Sequence, residues 1–303
     1  MNSKIKTNII SSFFTGLTLL ATLIIFTILI IIIGNIIIYG HKTISWEFIT
    51  KAPREGMTAG GIFPAIFGTV ALVVLMIIAV LPVGVMTAIY LHEYSKPDFL
   101  LTKIIRFAVN NLAGVPSIVF GLFGLGFFIQ FVGAGIDKFF GLEVIWGQPC
   151  LMWAALTLAL LNLPVVIVAS EEALRAIPKE TREASLALGA TKWQTIRRVV
   201  LPQATPGILT GAILSISRGA GEVAPIMFTG AAYFLPYLPH KPTDQFMELG
   251  YHIYVMATQS PDVETTKPIL YGTVLTLLIL TLLLNFVAIF IRSKIRRQMK
   301  KSF

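Results

Sequence analysis

The chain has 303 residues, 55% of them hydrophobic and 13% charged, with mean hydropathy +0.81. A soluble domain carries about 25% charged residues, so this composition excludes an ordinary soluble fold and points to an all-α, polytopic membrane helix bundle. Its one cysteine, Cys150, excludes an internal disulfide or cysteine metal cluster and reads as a packing residue near a helix start.

Six apolar runs of spanning length follow in order, at about 13–38, 62–90, 112–132, 151–170, 205–232 and 269–291. The first has an almost unbroken Ile/Leu core, too long for a cleaved signal peptide. The second carries Pro82 and Gly84 in its later half, where a kink is expected. The third is glycine-rich (Gly114, Gly121, Gly124, Gly126), which suits close helix packing in lipid. Asn162 and Pro164 interrupt the fourth, and the fifth contains Arg218 and Glu222.

The net charge of +9 follows topology. Of the 24 Lys and Arg residues, 17 fall on the side of the two termini, the second-to-third loop and the 171–204 loop. Six fall on the other side, and Arg218 is the remaining one. The positive-inside rule then places both termini in the cytoplasm and disfavours a nucleic-acid surface. Organisation follows: an N-terminal helix and external loop (1–61), a main membrane domain (62–292) and a basic cytoplasmic tail (293–303). The histidines (His41, His92, His240, His252) fall in predicted loops without ligand spacing. The external connection, about 233–268, predicts a short helix over 244–258 with Phe246, Leu249, Ile253 and Met256 on one face. It is either a structured interfacial loop, or a cap over a pore or a dock for an external partner.

The 171–204 loop is too polar for a bilayer and long for a passive connection. Pro178 and Gly189 bracket one helix, 179–188, and Thr191 to Gln194 has the spacing of a capping box that starts a second, ending before Pro202. Glu183, Ala184 and Ser185, three residues, Gly189, nine residues, then Val199, Val200, Leu201 and Pro202 resemble the EAA loop of ABC-transporter permeases. Ser185 replaces that motif's third alanine and Val199 its isoleucine.

Two further stretches, Asn111 to Leu122 and Ser217 to Pro225, resemble the phosphate-uptake permeases, and Gly221 to Pro225 resembles their A-type membrane subunit. The resemblance implies a type I ABC-importer permease fold in a bacterial cytoplasmic membrane. It implies ATPase coupling through Glu183, Ala184, Ser185, Gly189, Leu201 and Pro202. Implied partners are a C-type second permease, a cytoplasmic ATPase dimer and an extracytoplasmic phosphate-binding protein. No GxxxxGK[ST] phosphate loop occurs in the chain, so no cofactor is expected here and ATP belongs to the partner ATPase.

Arg218 lies about 12 residues into the expected fifth span, about 18 Å along it and near mid-depth. A charge there costs roughly 2.5–3.5 kcal/mol and usually faces a bundle interior or aqueous cavity. Glu222 is four residues on, one helical turn along the same face. From the residues alone the two form either a self-neutralising pair or an anion site, since Arg offers a planar fork matched to oxyanions. The family's matching residues are associated with phosphate passage; Asn111, Ser117 and the amides near Gly114 are weaker pore-lining candidates. Two other classes remain open. A membrane enzyme acting on a phosphorylated lipid needs convergent acids, whereas Glu47, Glu55, Asp137 and Glu143 are scattered and expected to be exposed. A secondary transporter working alone would show inverted repeats, which are not detected.

Overall fold

The computed structural model describes residues 2–54, 59–96, 98–260 and 263–302, so Glu55 lies outside the described residues. The described residues form twelve α-helical segments: α1 (Asn2–Gly40), α2 (Trp46–Thr50), α3 (Phe63–Ile89), α4 (Leu100–Leu112), α5 (Ser117–Phe123), α6 (Ala134–Phe140), α7 (Leu151–Arg175), α8 (Lys179–Ala187), α9 (Lys192–Thr195), α10 (Leu201–Gly219), α11 (Leu249–Gln259) and α12 (Val263–Ser302). A two-residue antiparallel pair, β1 (Pro53–Arg54) with β2 (Ala59–Gly60), leaves the all-α class unchanged. Wider π-helical turns at Tyr90–Tyr94, Gly124–Gly133 and Ile196–Val200 extend or join helices end to end.

Six helical stretches are long and apolar enough to cross a membrane among the described residues: Ser11–Gly40, Phe63–Tyr94, Ser117–Phe140, Leu151–Arg175, Lys192–Gly219 and Thr266–Met299. Two differ clearly from expectation. The third starts at Ser117, because Pro116 is extended (ψ 140°) and separates it from α4. The fifth occupies Lys192–Gly219 instead of 205–232. At its start, the helix does not stop before Pro202. Pro202 has no N–H, and the preceding turn widens so that Leu201 N–H bonds Ile196 O, five residues back. At its far end, Gly219 and Gly221 weaken the helix and Pro225 cannot donate to a preceding carbonyl.

The central pair is α3 with α7, where Met76, Leu158, Leu161 and Val166 are buried together. A Cβ at Gly84 would overlap Val166, at Gly207 Ala173, and at Gly211 Ala169. These small-residue contacts let α3 and α10 lie tightly against α7, the packing that lipid favours. α12 packs on α10, and α1 packs on α12. α1 is apolar all round and its spanning window is 0% buried, as a lipid-facing helix should be.

Side-chain pairs define two ends. The Arg106–Glu171 and Arg182–Glu93 pairs lie at one, termed the basic end. At the opposite end Thr43 Oγ1 donates to Pro268 O, and Leu151 N–H to Asp244 O. There the connection after α10 folds inward. Ala232 N–H donates to Phe246 O, Phe246 is fully buried, and α11 begins only at Leu249. This segment packs on α3 and α12 and is a built part of the bundle. The expected helix therefore starts five residues late: Phe246 is held as a backbone bridge to Ala231, and Glu248 caps the helix that follows.

Candidate functional site

The loop at the basic end is a helix, a glycine corner and a second helix. Pro178 is the N-cap residue of α8. At its other end Gly189 has φ 85°, a left-handed conformation that glycine adopts without a Cβ clash. Gly189 N–H donates to Leu186 O (2.9 Å) and Ala190 N–H to Ser185 O (3.3 Å), the paired bonds of a Schellman cap. The capping box is present: Thr191 N–H donates to Gln194 Oε1 (2.8 Å) and Gln194 N–H to Thr191 Oγ1 (3.3 Å). Ser185 and Thr195 hydroxyls meet at 3.0 Å and tie α8 to α9 across the corner.

That corner presents an apolar tip. Glu183, Ala184 and Gly189 are exposed, as are Leu186, Leu188 (90%) and Trp193. Ile196 and Val200 are buried, whereas Trp193 turns outward. Leu201 and Pro202 lie half-buried at the start of α10.

Sequence reasoning missed what holds α8 to the bundle. Arg182 Nε and Nη2 donate to Glu93 Oε1 (3.1 and 2.9 Å). Its other bonds go to Leu174 O (2.8 Å) in the last turn of α7 and to Ile177 O (2.6 Å) and Pro178 O (3.3 Å) in the turn that leads to α8. His92 Nδ1 also lies 3.1 Å from Glu93 Oε1, in the π-helical end of the second span. Arg106 reaches Glu171 at 2.7 Å, linking α4 to α7. The partners are 89 and 65 residues apart, and a membrane-edge charge in sequence says nothing of its partner.

Arg218 and Glu222 are brought together, by a different geometry from the one expected. Arg218 is in the last turn of α10, and Glu222 lies beyond the helix end. Arg218 Nε donates to Glu222 Oε1 at 3.2 Å, the one hydrogen bond its guanidinium makes among the described residues. Neighbouring Gly219 faces Met76 and Asn162, which puts the break midway along the central α3–α7 pair. The position also suits a cation, because the helix C-terminus is the negative end of its dipole. Ser217 Oγ donates to Asn285 Oδ1 of α12 (2.8 Å), adding a polar residue unmarked in the sequence reading. Asn111 is exposed and donates to Phe107 O within its own helix; Ser117 is half-buried at the start of α5.

Two expectations about polar residues change. Asp137 is buried, because it accepts the backbone N–H groups of Ile145, Trp146 and Gly147 in the turn after α6. Glu47 and Glu143 are exposed as expected. His92 and His252 are helical residues, and His252 is buried in α11 with neither ring nitrogen bonded among the described residues. Burial holds its pKa down to about 4. Glu248 accepts Gly250 and Tyr251 N–H to cap α11, and burial pushes its carboxyl up to about 7.

Residues 80–301 match the family described as binding-protein-dependent transport system inner membrane component. The probable ABC transporter permease protein YqgI of Bacillus subtilis (strain 168) is 34% identical over 264 residues, covering 82% of this chain and 85% of its own length. The phosphate transport system permease protein PstA of Mycobacterium leprae (strain TN) is 37% identical over 224 residues, covering 74% and 69%. A bacterial ABC transporter involved in alginate import has a TM-score of 0.64 at 15% identity, covering 96% of this chain and 99% of that one. An inward-facing structure of the MetNI methionine ABC transporter gives 0.55 at 20%, covering 76% and 94%. At those identities the structural likeness shows a shared fold, that of type I ABC-importer permeases. This chain belongs to the binding-protein-dependent transport system inner membrane component family and is a multi-pass membrane protein.

Proposed function

We propose that this chain is the A-type permease subunit of an ATP-driven importer for inorganic phosphate. The observation that carries the reading is the Arg218–Glu222 pair at a helix break midway along the central α3–α7 pair, in a chain 37% identical to a phosphate permease. Its partners are a C-type permease that closes the path, a cytoplasmic ATPase dimer that hydrolyses ATP, and an extracytoplasmic phosphate-binding protein. Both termini and the corner around Gly189 face the cytoplasm, in keeping with the positive-inside count. This chain itself is no enzyme and holds no cofactor.

Arg218 has guanidinium donors to spare for an oxyanion, and its side chain is 42% exposed. Glu222 neutralises it when the path is empty and competes with a bound anion, which limits affinity so that the anion can leave. At the basic end the apolar tip around Leu186, Leu188 and Trp193 docks on the ATPase. Motion there passes through Leu201 and Pro202 into α10, whose last turn holds Arg218.

Co-purified with its ATPase and second permease and reconstituted with binding protein, the chain should import labelled phosphate only when ATP is hydrolysed. Unlabelled phosphate should compete far better than sulfate. ATP-independent uptake by the purified chain alone would overturn the reading in favour of a secondary transporter.

A further inference from the structure

The proposed route from the corner to the anion runs along one continuous helix, α9 into α10. The structure contains a second mechanical connection, and the pair that makes it has no place in that route. α8 buries none of its residues, so apolar packing does not fix it to the bundle. Cavities of about 340 and 180 Å³ flank the Arg182–Glu93 contact. The contact itself is tight, with Arg182 side chain 15% exposed and Glu93 9%. All of Arg182's nitrogens donate, to Glu93, to Leu174 O at the end of α7 and to Ile177 O just beyond it. A planar fork held at every nitrogen resists both sliding and rotation. Close by, Lys192 Nζ stands 4.8 Å over the Tyr94 ring, a second link from the corner to the same π-helical turn.

We infer that Arg182 is a positioning residue that joins the ATPase-docking helix α8 rigidly to the end of the second span through Glu93, so that α3 and α7 move with the corner along with α10. The inference rests on the coupling role proposed above and adds a specific joint to it. Without the joint, α8 is held only at the corner, through its chain connections and the Ser185–Thr195 contact, and the route through α9 and α10 remains.

The test uses the assembled importer in liposomes. Arg182→Met should keep ATP hydrolysis but lower phosphate imported per ATP by about tenfold or more, a typical coupling magnitude. Because that variant leaves the part-buried Glu93 carboxylate with only His92 beside it, the double variant Glu93→Met with Arg182→Met serves as the control. Replacing a buried pair by apolar residues often restores stability. Recovered thermal stability with an impaired import-to-ATP ratio supports the joint. A recovered ratio, or a wild-type ratio in Arg182→Met, overturns it. A readout independent of substrate uses spin labels at Lys96→Cys and Glu180→Cys. Their separation should stay fixed on ATP binding with Arg182 present and change in Arg182→Met. A separation that already changes with Arg182 intact contradicts the joint. If the wild-type assembly imports no phosphate, the substrate reading fails and the label distances still decide the joint.

Discussion

Two arginine–glutamate pairs in one bundle have opposite designs. Arg182 and Glu93 are both shielded, and the guanidinium is committed at every nitrogen. Arg218 and Glu222 are more open, at 42% and 19%, and share a single 3.2 Å contact. A satisfied buried pair has nothing to offer a ligand and a large penalty for separation. A half-satisfied pair at a helix break keeps donors in reserve. The difference teaches that a membrane-embedded charge is read from its unmade bonds as much as from its depth.

Removing one partner from each pair is the largest contrast. Glu93→Gln should destabilise the folded protein by about 1.5–3 kcal/mol, the loss of charge-assisted hydrogen bonds in a part-buried pair. Thermal unfolding in detergent measures it, and a small change would dissolve the contrast.

Glu248 sharpens the comparison as a buried acid that meets backbone N–H groups and no arginine. Its pKa is raised to about 7, so its stabilising contribution is full below pH 4.5 and is lost as pH rises through 7. His252 has the opposite sign: lowered to about 4, its contribution is full above pH 6.5 and is lost as pH falls through 4. The two offset between about pH 4.5 and 6.5. Glu248→Gln should therefore expose a stability that rises with pH by about 3 kcal/mol across pH 4–6.5. His252→Leu should expose the fall of similar size across pH 4.5–7. Melting curves against pH check both signs.

Smaller effects follow. Ser185→Ala leaves the buried Thr195 hydroxyl without its partner and should cost about 1–2 kcal/mol. Adding Thr195→Val should recover most of that loss. Glu222→Gln should cost under about 1 kcal/mol in stability, as partly exposed pairs do, and show its effect in transport instead.

How legible all this was depends on the range of each interaction. The corner was readable because its signals are local: Pro178, Gly189 and the Thr191–Gln194 box each act within a few residues. Spanning helices were readable from apolar length. The break after Gly219 was not, because the hydropathy of 205–232 runs on across it, although Gly219, Gly221 and Pro225 were all in view. A continuous helix and a broken one both place Glu222 near Arg218, so the contact was right while its geometry was wrong. Asp137 shows the same limit. Its burial depends on a turn at Ile145 to Gly147 that no spacing rule specifies. Arg182 and Glu93 were invisible as a pair because 89 residues separate them.

The central claim is that the half-satisfied pair meets the anion. Its most direct test is labelled-phosphate uptake by the reconstituted importer carrying Arg218→Gln, with ATP hydrolysis followed in the same vesicles. Loss of a charge-assisted anion contact should lower uptake about 30-fold or more, equivalent to about 2 kcal/mol, while assembly and basal hydrolysis persist. Wild-type uptake in that variant would contradict the account and leave Arg218 and Glu222 as a structural pair.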